Sequence, residues 1–170
     1  MLLGGVMKAT RVSLGIGVAT IVATILVGIG AQSGFAQADP LVGTWVLNIA
    51  KSKYTPGPPP KEQTTTFEAQ GKGVKVTTKG TDSAGKPTET TYTADFDGKD
   101  NPVTGNPDWD TVALKRINAN TVEYTRKKAG KVVQTATSVI SKDGKTRTIT
   151  STGVNAQGQK IHNVGVYDKK

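Results

Sequence analysis

The sequence predicts an all-β domain, an antiparallel meander closing into a barrel of eight or nine strands, preceded by an N-terminal signal helix. Three observations predict it. Turn signals (Gln70-Gly71-Lys72-Gly73, Ser83-Ala84-Gly85-Lys86, Asn118-Ala119-Asn120, Ala129-Gly130-Lys131, Lys142-Asp143-Gly144-Lys145, Asn155-Ala156-Gln157-Gly158) mostly recur at roughly 10–14-residue spacing, close to that of sandwiches and barrels. Several segments between them alternate with the period of a strand, and none carries a useful helical period. The composition is lean in large apolar residues and rich in Thr, which suits a pleated sheet with one polar or wet face.

The chain divides near residue 38. Residues 1–38 contain no Asp or Glu and only two basic residues, Lys8 and Arg11. Residues 12–31 are all apolar, Gly, Ser or Thr, and a small-x-small site follows at Ala36 and Ala38. That is the layout of a secretory signal peptide, with cleavage expected after Ala38 and after Ala36 as second choice. The apolar run is long enough for an uncleaved anchor, but its four glycines and the site behind it favour cleavage. Met7 is an alternative start.

The mature part, 39–170, holds 132 residues, of which 29 are Val, Ile, Leu, Phe, Trp or Tyr and 22 are Thr. Its formal charge is +7, since Lys8 and Arg11 account for two of the chain's +9. With no cysteine it must hold together by packing alone, which points to a bacterial periplasmic or secreted protein rather than an animal disulfide scaffold.

In chain order the predicted strands are 43–50, 62–70, 74–81, 88–96, 111–117, 122–128, 132–141, 146–152 and 160–167. Val122 and Tyr124 share one strand face, and the even positions of 146–152 are all Thr. Asp143-Gly144 signals a two-residue hairpin. Residues 55–60, Thr-Pro-Gly-Pro-Pro-Pro, run extended for want of backbone donors. Residues 97–110 hold Gly98, Pro102, Gly105 and Pro107 and read as a loop. A sequential meander of this size removes its exposed edges most simply by closing on itself.

The first strand carries Gly43-Thr44-Trp45, and the chain ends Val164-Gly165-Val166-Tyr167-Asp168-Lys169. On these residues the mature part resembles the lipocalin and fatty-acid-binding (calycin) superfamily. The resemblance implies that Trp45 plugs one barrel end, with Gly43 letting it seat. Fatty-acid-binding proteins close with Arg-x-Tyr, which holds the lipid carboxylate. Here Tyr167 matches the Tyr, but Gly165 stands at the Arg position, and a Pro-rich loop replaces the helical lid. The resemblance therefore implies the fold without that carboxylate clamp, so fatty acids are expected to bind no better than neutral analogues. Should they bind better, Arg116, Arg126 and Arg147 are the residues to mutate. The chain is also similar to a family of small exported bacterial proteins, through residues 50–54 (Ala-Lys-Ser-Lys-Tyr), 56–60 and 141–146 (Ser-Lys-Asp-Gly-Lys-Thr). That likeness implies export but no particular activity.

No catalytic constellation stands out, and an enzyme is not expected. The lack of cysteine excludes thiol nucleophiles and thiolate metal sites, and the single histidine, His162, excludes a His-rich metal site. His162 alternates with Val164 and Val166 and reads as a structural or rim residue. The acidic group Asp95, Asp97, Asp100, Asp108 and Asp110 misses the EF-hand spacing and reads as solvated turns. The basic residues (Lys115-Arg116, Arg126-Lys127-Lys128, Lys131, Lys169-Lys170) read as a solvated surface. Export and the lack of an aromatic-rich binding motif argue against nucleic acid. No metal or cofactor is expected.

The expected function is non-catalytic binding of a small, partly apolar molecule inside the barrel, outside the cytoplasm, by a soluble mature domain. A barrel of about eight strands either fills with side chains or holds one small ligand. The candidate ligand-binding residues are Trp45, Tyr124 and Tyr167, with Trp109 near a mouth loop. The rival expectation is a cell-envelope interaction protein, a solid barrel whose basic surface meets an anionic envelope polymer or lipid headgroups.

Overall fold

A computed structural model describes residues 39–170; the predicted signal helix, its cleavage site and the boundary of segment 1–38 fall on residues outside the described ones. Ten strands follow in order: β1 Gly43–Leu47, β2 Glu62–Gln70, β3 Gly73–Thr81, β4 Pro87–Asp95, β5 Asp97–Pro102, β6 Thr111–Asn118, β7 Thr121–Lys128, β8 Lys131–Ile140, β9 Thr146–Val154 and β10 Lys160–Lys169. They form one antiparallel sheet in the order β4-β3-β2-β1-β10-β9-β8-β7-β6-β5. Each strand pairs with its sequence neighbour except at the ends. β1 joins β10, and β4 meets the segment just after β5 through a single antiparallel bridge, Thr91 to Thr104. The sheet is a nearly closed barrel.

Ten strands rather than eight or nine is a correction, and β5 is the added one. Its breakers are tolerated because it lies at the end of the sheet and its ladder is with β6 alone. A register shift between Asp97 and Asp100 absorbs Gly98, which has a φ of 79°. Pro102 ends the strand opposite Thr111. β1 is shorter than predicted because the Asn48 side chain accepts a hydrogen bond from the Lys51 N–H and starts a 3-10 turn over Ile49–Lys51. The Asp143-Gly144 turn is wider than two residues, since β8 ends at Ile140 and β9 begins at Thr146.

The meander puts the β2–β3, β4–β5, β6–β7 and β8–β9 turns at one end and the other connections at the opposite end. The first end is sealed. Trp45 and Leu41 are fully buried there, and the indole Nε1 donates to the Leu41 carbonyl at 2.9 Å. The Lys169 ammonium lies 5.0 Å from the centre of the Trp45 ring and donates to the Pro40 carbonyl at 3.0 Å. Gly43, with a φ of 127°, leaves room for that lysine: a Cβ at 43 would sit 2.9 Å from its side chain. Arg116 pairs with Asp39 and stacks 3.8 Å over Phe96. Further inward-facing residues (Phe67, Val74, Val76, Leu114, Val122, Tyr124) complete the core. Among the described residues no helix is long and apolar enough to cross a membrane.

Candidate ligand cavity

Toward the open end the inward positions change character. β2 presents Gln63 and Thr65, β3 Thr78, β4 Thr90 and Tyr92, β8 Gln134, and β9 Ser151. These residues, with aromatic and aliphatic neighbours, enclose a cavity of about 590 Å³. Here the abundance of Thr finds part of its explanation: some threonines line a wet lumen, and others, such as Thr148 and Thr150, lie on the outer face opposite Arg147, Ile149 and Ser151. Trp109 and Tyr92 meet edge to face at 6.1 Å in its wall.

Two arginines reach into this space. Arg147 on β9 is buried; its Nε donates to Ser138 Oγ at 2.8 Å, and its guanidinium lies 4.9 Å from the Phe67 ring centre and 5.3 Å from that of Tyr167. Arg126 on β7 donates from Nη1 to Gln134 Oε1 at 3.1 Å and to Ser151 Oγ at 3.5 Å. Its guanidinium stands 5.0 Å from the Trp109 ring centre and 5.7 Å from that of Tyr124. Among the described residues neither guanidinium has a carboxylate within salt-bridge distance. The Arg126 Nε and the Tyr124 hydroxyl are sealed from solvent, and neither finds a hydrogen-bond partner there.

The surrounding phenols do not supply the missing negative charge. Burial raises Tyr92 well above the ordinary tyrosine value, and the neighbouring Tyr124 adds to the shift. Burial also raises Tyr167, against the pull of Arg147. Tyr54 is raised by burial and by Tyr167 beside it. Burial lowers Arg126, with Arg147 contributing in the same direction. The lumen therefore carries two cationic groups among neutral phenols.

The mouth is framed by loops. Pro56, Gly57, Pro58 and Pro60 of the Pro-rich segment face it, with Asn106 to Trp109 of the β5–β6 loop and Asn155, Gln157 and Gln159 of the β9–β10 loop. The Pro-rich segment is tied to β10: Lys53 bridges Val164, and the His162 N–H donates to the Thr55 carbonyl at 2.8 Å. Tyr54 is thereby directed against Gly165. A Cβ at 165 would stand 3.0 Å from the Tyr167 ring, 3.3 Å from Ile149 and 3.4 Å from the Tyr54 hydroxyl. The space an arginine would need at 165 is filled, which explains the glycine.

Of the residues singled out from sequence, Trp109, Tyr124 and Tyr167 line the cavity together. Trp45 does not; it belongs to the sealed end. His162 is exposed on the outer face of β10. The acidic residues act as turn fasteners: Asp110 accepts from the Ala129 N–H at 2.9 Å and Asp108 from the Ala156 N–H at 2.8 Å. Among the described residues no group of three His, Cys, Asp or Glu could hold a metal ion. Reading Arg126 as part of a solvated surface is corrected. It shares its strand face with Val122 and Tyr124, as Arg147 does with Ile149. That parity was the available signal for both.

No family model matches the chain, and no curated protein matches it by sequence. Solved structures do. The chain is similar to Rv2717c from M. tuberculosis, with 14% identity, 77% of this chain and 93% of that chain covered, and a TM-score of 0.51. A zebrafish ileal bile acid-binding protein complexed with cholic acid matches at 16% identity over 77% of this chain and 99% of that one, with a TM-score of 0.49. A redesigned β-barrel, mFAP1, bound to DFHBI matches at 17% identity over 76% and 95%, with a TM-score of 0.38. At these identities likeness speaks to fold alone; the match at a TM-score of 0.51, with the meander order around an open-ended lumen, gives the chain the fold of a lipocalin-like β-barrel.

Proposed function

We propose that the protein binds a small, partly apolar molecule in its barrel, without catalysing its conversion, and does so outside the cytoplasm. The observation that carries the reading is the cavity of about 590 Å³, sealed at one end and framed by loops at the other. Its volume lies within the usual range for small-molecule sites, and its wall mixes aromatic surface with convergent polar groups. The bile acid-binding and dye-binding barrels named above hold small molecules, which agrees with the reading without extending to this chain's ligand. The envelope-interaction alternative needed a barrel packed solid, and the cavity speaks against it.

Export rests on the sequence of the leading segment, and the non-catalytic reading on the outward position of His162. The test is titration of the purified protein with a neutral, environment-sensitive apolar fluorophore. Binding near micromolar affinity, about −8 kcal/mol, is expected. Native mass spectrometry of protein purified from its source should show a co-purifying small molecule. A folded protein that takes up no apolar probe would overturn the proposal.

A further inference from the structure

We infer that the ligand of this lumen is an organic anion, an oxyanion such as a carboxylate on an apolar body, whose charged group is held by Arg126 and Arg147. The inference rests on the lumen-binding reading above and names the ligand's chemistry. It departs from the expectation drawn from Gly165, because the guanidiniums come from β7 and β9 and not from the closing strand.

The argument starts from donor accounting. A guanidinium has five N–H donors in a planar fork. Arg147 uses Nε on Ser138, and its Nη donors have no acceptor among the described residues. Arg126 uses Nη1 on Gln134 and Ser151 and leaves Nε buried and unpartnered, with the Tyr124 hydroxyl in the same condition two residues away. Buried polar groups are ordinarily paired, and buried charges more strictly so. Two guanidiniums left without a carboxylate are costly to the fold unless something else supplies acceptors. The neighbouring groups able to do so are neutral: Gln134, Ser138 and Ser151 already accept, and burial holds Tyr92 and Tyr167 protonated.

The chemistry of the missing acceptor follows from the donors. Arginine forks match the paired oxygens of carboxylates and related oxyanions, with shorter and stronger bonds than neutral partners give. The walls beside the forks are flat and apolar, formed by Trp109, Tyr92, Phe67 and Ile149. A free inorganic ion would leave that surface wet, so the apolar body is part of the inference. A second concavity, about 530 Å³ across the ends of β2, β3 and β4, offers no comparable group: its Lys79 already pairs with Glu89 at 3.3 Å.

The experiment is calorimetric titration of the purified protein with 2-naphthoate and with 2-naphthamide, near-isosteric partners that differ in charge. The acid should bind at least tenfold more tightly than the amide, and rising salt should narrow the gap only modestly because the site is buried. Arg126→Gln and Arg147→Gln should each remove most of the preference for the acid over the amide. Circular dichroism identifies any variant that fails to fold; Arg126→Lys and Arg147→Lys then serve instead, since each keeps a point charge but loses the fork and should retain only part of the preference. Equal affinity for acid and amide would overturn the inference and leave the binding barrel standing. So would an acid preference that survives both substitutions, which would place the anion on surface lysines. Failure of both probes and of the neutral fluorophore would remove the binding proposal as well.

Discussion

Replacing Trp45 with Ala should be among the most damaging single changes in the domain. The indole is fully buried in the sealed end, and truncating such a residue typically costs about 3–5 kcal/mol in lost burial and residual cavity. Two local effects push toward the top of that range. The 2.9 Å hydrogen bond from Nε1 disappears, leaving the carbonyl of the fully buried Leu41 without it, at about 1 kcal/mol. The Lys169 ammonium, 5.0 Å from the ring centre, loses a contact of roughly 0.5–1 kcal/mol. Contributions at one site overlap, so the expected loss is about 4–5 kcal/mol. With a urea slope of about 1.5 kcal/mol per molar, the unfolding midpoint should fall by roughly 3 M. Equilibrium urea unfolding followed by far-ultraviolet circular dichroism measures it, with Trp45→Phe as the milder comparison. Trp45 lies outside the cavity wall, so Trp45→Phe should leave probe affinity within about twofold. A loss below about 1 kcal/mol on truncation to Ala would refute the account of this end as a packed plug.

Further outcomes follow from the same geometry. Arg126→Met should leave the unfolding free energy unchanged or raise it by up to about 1 kcal/mol, read as an equal or higher urea midpoint, because it removes a buried unpartnered Nε; a large loss would show that the guanidinium is stabilising in the empty protein. Gly165→Ala should cost about 1–3 kcal/mol and weaken probe binding, because its Cβ would press on Tyr167, Ile149 and Tyr54; unchanged values for both would mean that these side chains yield freely. The Asp168 carboxyl is held below its usual range by the hydrogen bond from Asn48 and by Lys51, so its contribution is present above the unfolded value near 4 and is lost as pH falls through the lower folded value. Asp168→Asn should accordingly flatten the acid limb of stability measured by urea unfolding from pH 2 to 5. The mature N-terminus should be Asp39, with Gln37 as second choice; N-terminal sequencing of secreted or periplasmic material decides it, and full-length protein held in the membrane would refute cleavage.

The strands were legible because alternation and turn residues are local. Val122, Tyr124 and the Gly-Lys turns carry their own instructions, and the predicted strand segments largely coincide with the observed ones. β5 was not legible, because Gly98 and Pro102 break a central strand but not one at the end of the sheet, and position in the sheet is a tertiary fact. Three of the four aromatic candidates fell on the cavity wall for a general reason: large aromatics on inward faces either fill a lumen or line it. The arginines entered the sequence reading only as residues to mutate should fatty acids bind better, and Arg126 otherwise as solvated surface, because a charged residue on a strand is ordinarily assigned to solvent. Parity alone places Arg126 with Tyr124 and Arg147 with Ile149. Taken seriously, it says that a cation interrupts an inward row.

The junction of β4 and β5 makes the barrel a split ring. Elsewhere the strands are stitched along continuous ladders, but here the circle is completed by the pair of backbone hydrogen bonds between Thr91 and Thr104, each 3.0 Å. Gly105 tightens the clasp, since a Cβ there would stand 2.0 Å from the Glu89 carbonyl oxygen. Net of competition with water, these two bonds contribute only about 1–3 kcal/mol, whereas unfolding a typical domain takes about 5–15 kcal/mol; the Tyr92–Trp109 contact and the Asn106 bond to Thr90 add to the clasp. This line is therefore the place where the ring should open first, and the Thr91 and Thr104 amides should exchange with solvent faster than those of β9 and β10. A hoop with one weak clasp can stretch around guests of different girth while the rest of its circumference keeps its register.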